Sequence, residues 1–181
     1  MKEYFDHVRA LEAAYGQRLK SAGFDAALIH SGSLVRKTVF DDQDWPLRTT
    51  PHFQHWLPLA EPDCFLLVRG DRKPVLLRPR ASSFWETPPE PPATFFFDAF
   101  EVVAIDSWEK AREHVPSGRV AFVGEREDRS FGLPRDAALM GALDALRTKK
   151  TPYEVACLAE ANRVAALGHE VHLVHQFPRD F

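Results

Sequence analysis

The sequence predicts an α/β domain built on a mixed β-sheet flanked by helices, and three observations carry that prediction. Short apolar runs of strand length alternate with stretches of helical spacing. Two of the runs, Asp63 to Val68 and Pro74 to Leu77, are separated by R-G-D-R-K and read as a hairpin turning at Gly70-Asp71, which makes the sheet mixed. The 181 residues suffice for one well-buried core and leave no room for a second.

The first element is an amphipathic helix from Tyr4 to Ala22, because Phe5, Val8, Leu11, Tyr15 and Leu19 recur at steps of three and four; Gly23 ends it. Phe24 to Ile29 is a short apolar run suited to a buried strand, closed by His30-Ser31-Gly32. The hairpin comes next, and then a stiff stretch from Arg78 to Ala93 that holds Phe84-Trp85 and T-P-P-E-P-P. Phe95 to Ile105 contains another strand, clearest over Phe100 to Ile105. Asp106 and Glu109 have the spacing of a cap and its reciprocal acid for a short helix to His114. Arg119 to Val123 is a strand ended by Gly124, and Pro134 opens a helix with the stripe Ala138, Leu139, Leu143 and Leu146. Thr151, Pro152 and Glu154 form a capping box that starts a last helix, along which Val155, Leu158, Ala159, Asn162 and Ala166 follow at helical spacing. A helix so strongly started near the end of a sequence suggests a larger protein cut short.

Composition narrows the function classes. Lys and Arg total 23 against 26 for Asp and Glu, a net charge of -3 with the basic residues scattered, which argues against a nucleic-acid partner. No apolar run reaches membrane-spanning length, and the N-terminus lacks the apolar stretch of a signal peptide, so a soluble, cytoplasmic protein is expected. Cys64 and Cys157 read as small buried hydrophobes in a reducing compartment.

The segment that departs from both periodicities is Val39 to Pro58. It gathers Asp41, Asp42, Asp44, His52, His55, Trp45 and Trp56 among three prolines. Burying one such aromatic ring is worth roughly 1.5 to 3 kcal/mol, so the segment is expected to be an ordered loop with its tryptophans as pegs, and such loops are where recognition tends to sit. His52 and His55 with Asp41 and Asp42 would make a hard-cation site only if the loop folded back on itself. The histidines of H-x-x-H-x-x-H at His169, His172 and His175 diverge by about 120° at the outer pair on a helix, and a surface helix end is the reading taken there. Ser31 and His30, neighbours on extended backbone, face opposite sides and make no nucleophile and base pair. The residues alone therefore assign no catalytic group and no metal ligand.

Several motifs together point further. H-S-G at His30 to Gly32, V-F-D-D at Val39 to Asp42, W-P-L-R-T-T-P-H-F-Q-H-W-L-P, the run ending at Trp85, and K-T-P-Y-E-V-A-C-L-A-E-A-N through Gly168-His169 resemble the N-terminal part of bacterial Xaa-Pro dipeptidases (prolidases). The branch that is similar includes the organophosphorus acid anhydrolases. The resemblance implies a creatinase-like N-terminal α/β domain of ribonuclease-H-like topology over residues 1–148. Residues 149–181 would then be a linker helix and the start of a truncated pita-bread metallopeptidase domain. It implies a catalytic centre of two divalent metals, usually manganese, whose ligands lie downstream of the linker helix, so this chain alone is expected to be inactive and to hold no cofactor. The tail E-V-H-L-V-H-Q-F-P-R-D-F departs from the family pattern and admits three readings: a frameshift, a designed truncation or a divergent end.

The resemblance also implies a homodimer in which the loop bearing Asp42 reaches the mouth of the partner subunit's active site and recognises the free amino group of a dipeptide substrate, with Trp85 lining the same pocket. A fixed carboxylate favours an ammonium there and penalises a longer peptide, whose amide offers no charge. The functional expectation is thus a non-catalytic domain serving dimerisation and substrate gating. The alternative is a stand-alone, non-enzymatic binding or scaffold protein derived from that domain.

Overall fold

The structure, a computed structural model, describes residues 1–40, 42–80 and 94–176. Asp41 and the proline-rich stretch with Trp85 lie outside the described residues. Helix α1 (Lys2–Ala22) is followed by β1 (Ala26–His30), the short strands β2 (Val35–Arg36) and β3 (Asp44–Trp45), and α2 (Pro51–Gln54). Strands β4 (Phe65–Val68), β5 (Val75–Pro79), β6 (Glu101–Ile105) and β7 (Val120–Val123) complete the strands, and α3 (Ala137–Leu146) and α4 (Pro152–Gln176) complete the helices.

The main sheet has the order β6-β5-β4-β1-β7. It is mixed, as the sequence predicts: β1 runs antiparallel to β4 and parallel to β7, while β5 runs antiparallel to β4 and parallel to β6. Strand alternation sends Ala27 and Ile29 to one face and Ala26 and Leu28 to the other, and all four are fully buried because both faces are covered. The first face takes the apolar stripe of α1 (Tyr4, Val8, Leu11, Tyr15, Leu19) together with Leu139 and Leu143 of α3. The second face is closed more thinly, by Ala111 of a 3-10 turn (Trp108–His114) and by Trp108, Phe131 and Leu133.

Within Phe95 to Ile105 the strand is β6, as expected, and Phe95 and Phe96 before it form part of a 3-10 turn, Thr94–Ala99, their rings packed edge-on against Tyr4 of α1 at 6.1 and 4.7 Å. Three local expectations are corrected. Ser107 takes the cap position assigned to Asp106, with Glu109 hydrogen-bonded to it. Helix α3 begins after Asp136, whose carboxylate accepts from the Leu139 amide at 2.7 Å, and not at Pro134; the Pro134 carbonyl instead accepts from Phe122 N–H of the edge strand β7 at 2.8 Å. Cys64 is buried as expected, but Cys157 is exposed on α4. No helix among the described residues is long and apolar enough to cross a membrane.

The hairpin between β4 and β5 turns at Gly70 with φ +82°, against α1. A Cβ on Gly70 would lie 2.2 Å from Gly16 Cα, so this is a backbone-on-backbone approach that no side chain can share. Gly132 also has positive φ, at +75°, but nothing lies within 4 Å of its would-be Cβ. We therefore expect Gly70→Ala to cost about 2 to 4 kcal/mol, from left-handed strain plus overpacking, and Gly132→Ala only about 1. Chemical denaturation of the two variants checks this, and equal losses would refute the close-approach argument.

Candidate functional site

The segment from Ser31 to Leu57 is not irregular throughout. Strands β2 and β3 pair antiparallel, Val35 with Trp45 and Arg36 with Asp44, so the chain leaves the main sheet as a projecting hairpin and returns into α2. Lys37 N–H donates to Gln43 C=O at 2.9 Å and Lys37 Nζ to Gln43 Oε1 at 2.9 Å, which closes the hairpin below its tip. At the tip Val39 is 88% and Phe40 100% exposed, and Asp42 is exposed with no hydrogen bond or ion pair among the described residues. Asp42 is thus a carboxylate held out from the fold.

The two tryptophans of the segment separate. Trp56 is the expected peg, 1% exposed and edge-on to Tyr15 at 4.9 Å. Trp45 is not: it is 57% exposed on β3 with Lys37 Nζ 5.8 Å from its ring centre. Trp85 and Asp41 fall outside the described residues, so no geometry attaches to either.

His52 and His55 turn inward, away from Asp42. His52 Nε2 lies 3.2 Å from Asp144 of α3, and His55 Nε2 lies 3.5 Å from Glu154 of α4. The clasp extends to α1, where His7 Nε2 donates to the His55 carbonyl at 2.7 Å and Nδ1 lies 2.8 Å from Thr151 Oγ1. The capping box is formed as the sequence predicts: Thr151 N–H donates to Glu154 Oε2 at 2.8 Å, and Glu154 N–H to Thr151 Oγ1 at 3.3 Å. Burial pushes His55 down to about 4 despite the opposing pull of Glu154, and His52 is lowered for the same reason with Asp144 opposing. Burial by itself would raise Glu154, but the hydrogen bonds from Thr151 and the neighbouring histidines leave it lowered. These histidines are joints between elements and not ligands. Among the described residues no group of three or more His, Cys, Asp or Glu side chains could hold a metal ion. His169 is exposed, and the side chains of His172 and His175 lie outside the description.

A second polar cluster, which the sequence did not reveal, stands at the carboxyl end of β1. Asp63 Oδ1 accepts from His30 Nε2 at 3.1 Å, from Arg129 Nε at 2.8 Å and from Ser33 Oγ. Serine, histidine and aspartate thus meet, but with the aspartate in the middle, so no imidazole stands ready to take the serine proton and nucleophilic catalysis is not built here. Ser31, for its part, is occupied by backbone: Oγ donates to Glu61 C=O at 2.8 Å and accepts from Cys64 N–H at 3.0 Å. Burial alone would raise the Asp63 pKa, but the hydrogen bonds from His30, Arg129 and Ser33 outweigh it and hold the carboxyl well below the usual carboxylate range.

Residues 2–144 match the family model described as the N-terminal domain of Xaa-Pro dipeptidase. The chain belongs to that family. It is 32% identical over 173 residues to the Xaa-Pro dipeptidase of Pseudoalteromonas atlantica and 34% identical over 173 residues to that of Aeromonas hydrophila. Each alignment covers 92% of this chain and 39% of the relative, so the chain spans well under half the length of the Xaa-Pro dipeptidases it matches. Among solved structures, a variant of Escherichia coli aminopeptidase P superposes with a TM-score of 0.52 at 17% identity, over 89% of this chain and 43% of that one, a likeness of fold. Membership makes this the N-terminal α/β domain of the Xaa-Pro dipeptidase family.

The inward histidines give the domain a defined response to acid. His55 has a folded pKa near 4 against about 6.5 unfolded, so the unfolded chain binds the proton first. Stability contributed by the neutral ring is complete above about pH 6.5 and is lost as pH falls toward 4, on the order of 2 kcal/mol by pH 5. We expect the melting temperature to drop over that window and His55→Gln to flatten the drop. A profile that is level from pH 7.5 to 5 would contradict the buried-histidine account.

Proposed function

We propose that this chain is the non-catalytic, substrate-gating domain of an Xaa-Pro dipeptidase, acting as a homodimer in which the β2–β3 hairpin of one subunit reaches the active-site mouth of the other. The observation that carries the reading is the hairpin tip: an exposed Asp42 with no hydrogen bond or ion pair among the described residues, two residues from a fully exposed Phe40. A free carboxylate there suits recognition of a dipeptide's ammonium, and bare Val39, Phe40 and Trp45 suit contact with a protein surface. Trp85 is proposed to line the same pocket. Residues 1–148 form this domain in the proposal, and residues 149–181 the linker helix and the start of a metallopeptidase domain.

The two divalent metals expected of such enzymes, manganese by resemblance, would supply an activated hydroxide for amide hydrolysis. The described residues of this chain do not fit them, since no cluster of three ligating side chains is present. What this domain contributes is selection: Asp42 favours a substrate whose charged amino terminus lies at a fixed distance from the bond to be cut. A cytoplasmic location is proposed with that function.

Two measurements test the reading. The 181-residue chain alone, freed of host prolidase and supplied with manganese, should not hydrolyse Gly-Pro or Leu-Pro; turnover would overturn the non-catalytic assignment. In the full-length enzyme, Asp42→Ala should lower kcat/KM for dipeptides by about 10- to 100-fold, the loss of one charge-assisted hydrogen bond of about 1.5 to 3 kcal/mol. Substrates without a free amino terminus should be spared and the melting temperature unchanged, because an exposed acid contributes little to stability. A lowered melting temperature with unchanged dipeptide kinetics would rule out gating and favour a scaffold role.

A further inference from the structure

We propose that Asp63 is the positioning residue that sets the direction of the β2–β3 hairpin, and hence the place of Asp42; the inference rests on the gating reading for its functional consequence, but not for its geometry. Two strands of two residues each have no core of their own, and such a ribbon is marginal without support. Its direction must therefore be fixed where it leaves the fold. Asp63 stands at that point. Its backbone is in the left-handed region at φ 55°, a conformation that is costly for most side chains and that Asp and Asn tolerate. Its N–H donates to the Gly32 carbonyl at 2.7 Å, which aims the carboxylate at the outgoing leg of the hairpin.

That carboxylate binds three segments at once. His30 is the last residue of β1, Ser33 stands two residues before β2, and Arg129 comes from the turn after β7. Arg129 is itself fixed, with its guanidinium 3.8 Å over the Trp108 ring and Nη1 bonded to Asp128 at 2.6 Å. The returning leg is tied to the same residues: Thr50 N–H donates to Ser31 C=O at 2.8 Å and Thr50 Oγ1 to His30 C=O at 2.5 Å. Gly32 completes the root, since a Cβ there would meet the Arg48 carbonyl at 2.9 Å. Among the described residues at this root, the outgoing leg is held by a side-chain charge, that of Asp63, and the returning leg by the amide and hydroxyl of Thr50.

The lever is long enough to matter. At about 3.3 Å per residue the tip stands roughly 15 Å from the root, so a rotation of about 5° at Ser33 moves Asp42 by about 1 Å. A misplacement of that size is enough to impair a recognition contact severely. Asp63 need not touch substrate to control it.

The test uses two variants and two readouts. Asp63→Asn keeps the shape and the tolerance for left-handed backbone but removes the charge; Ser33→Ala removes one bond and leaves Asp63 intact. With nitroxide labels on Val39→Cys and on the exposed native Cys157, pulsed electron resonance should show a widened distance distribution in Asp63→Asn and in Ser33→Ala, whereas Ser33→Thr, which keeps the hydroxyl, should leave it as in the parent chain. An unchanged distribution in both would overturn the inference, whatever happens to the melting temperature. In the full-length enzyme, Asp63→Asn should raise KM for a free-amino dipeptide about tenfold with kcat within twofold, and the effect should vanish in an Asp42→Ala background. Equal losses on substrates without an amino terminus would overturn the functional half. A widened distribution with Asp42→Ala kinetically silent would support the positioning role and overturn the gating reading on its own.

Discussion

Strand β1 is buried along its whole length, and that single constraint organises what surrounds it. A chain leaving such a strand cannot leave its N–H and C=O groups to water, and each unsatisfied one would cost about 1 to 3 kcal/mol. Thr50 answers for the His30 and Ser31 carbonyls, and the 61–64 turn for the Ser31 N–H and the Gly32 carbonyl. Ser31 N–H donates to the Cys64 carbonyl at 2.9 Å, and its hydroxyl bridges Glu61 and Cys64 of the same turn. Glu61 is in turn gripped through both carboxylate oxygens by Arg78, which lies 5.3 Å over Phe97. The polar groups at the end of β1 are thus satisfied by a chain of partners reaching across the sheet to β5.

This accounting explains why one segment can be rigid at its base and bare at its tip. Hydrogen bonds that satisfy buried backbone are concentrated at residues 30–32 and at Thr50, while residues 34–40 and 42–45 bury little and hold together mainly through the pairing of β2 with β3. Local stability therefore falls steeply from root to tip. A free carboxylate at the end of such a gradient is positioned by groups that it never touches. Among the described residues Asp42 has no hydrogen bond or ion pair that the fold would lose.

Much of the fold was legible because its signals are local. The apolar runs of β1, β4, β5 and β7, the glycine turn at Gly70 and the Thr151–Glu154 capping box each declare themselves within a few residues. The site was less legible because its contacts are distant in sequence. His7 meets Thr151, and Asp63 meets Arg129, with no spacing rule to bring them together. Trp45 and Trp56 show the same limit from the other side. Identical residues in one aromatic segment were expected to be pegs alike, yet pairing of β2 with β3 leaves Trp45 outside the sheet core, while α2 delivers Trp56 beneath α1. Cys157 failed for a related reason: apolar spacing along α4 marks a face, but spacing does not say whether anything in the domain covers it.

Helix α4 makes that last point physical. Tyr153 packs on the core beside Tyr4 at 5.2 Å, and the capping box locks the first turn to α1 and to the α2 segment through His7 and His55. Beyond that turn Val155, Leu158, Val164 and Leu167 are each about half exposed. Among the described residues the contacts that fix the helix to the domain lie in its first turn. Since α1 contributes at once to the core face of the sheet and to this clasp, the direction of α4 is referred to the same helix that carries the fold. The clasp and the hairpin root use the same device on opposite legs of one segment: residues 30–33 and 50–55 each turn a buried polar side chain inward, and what projects from them is aimed by that choice.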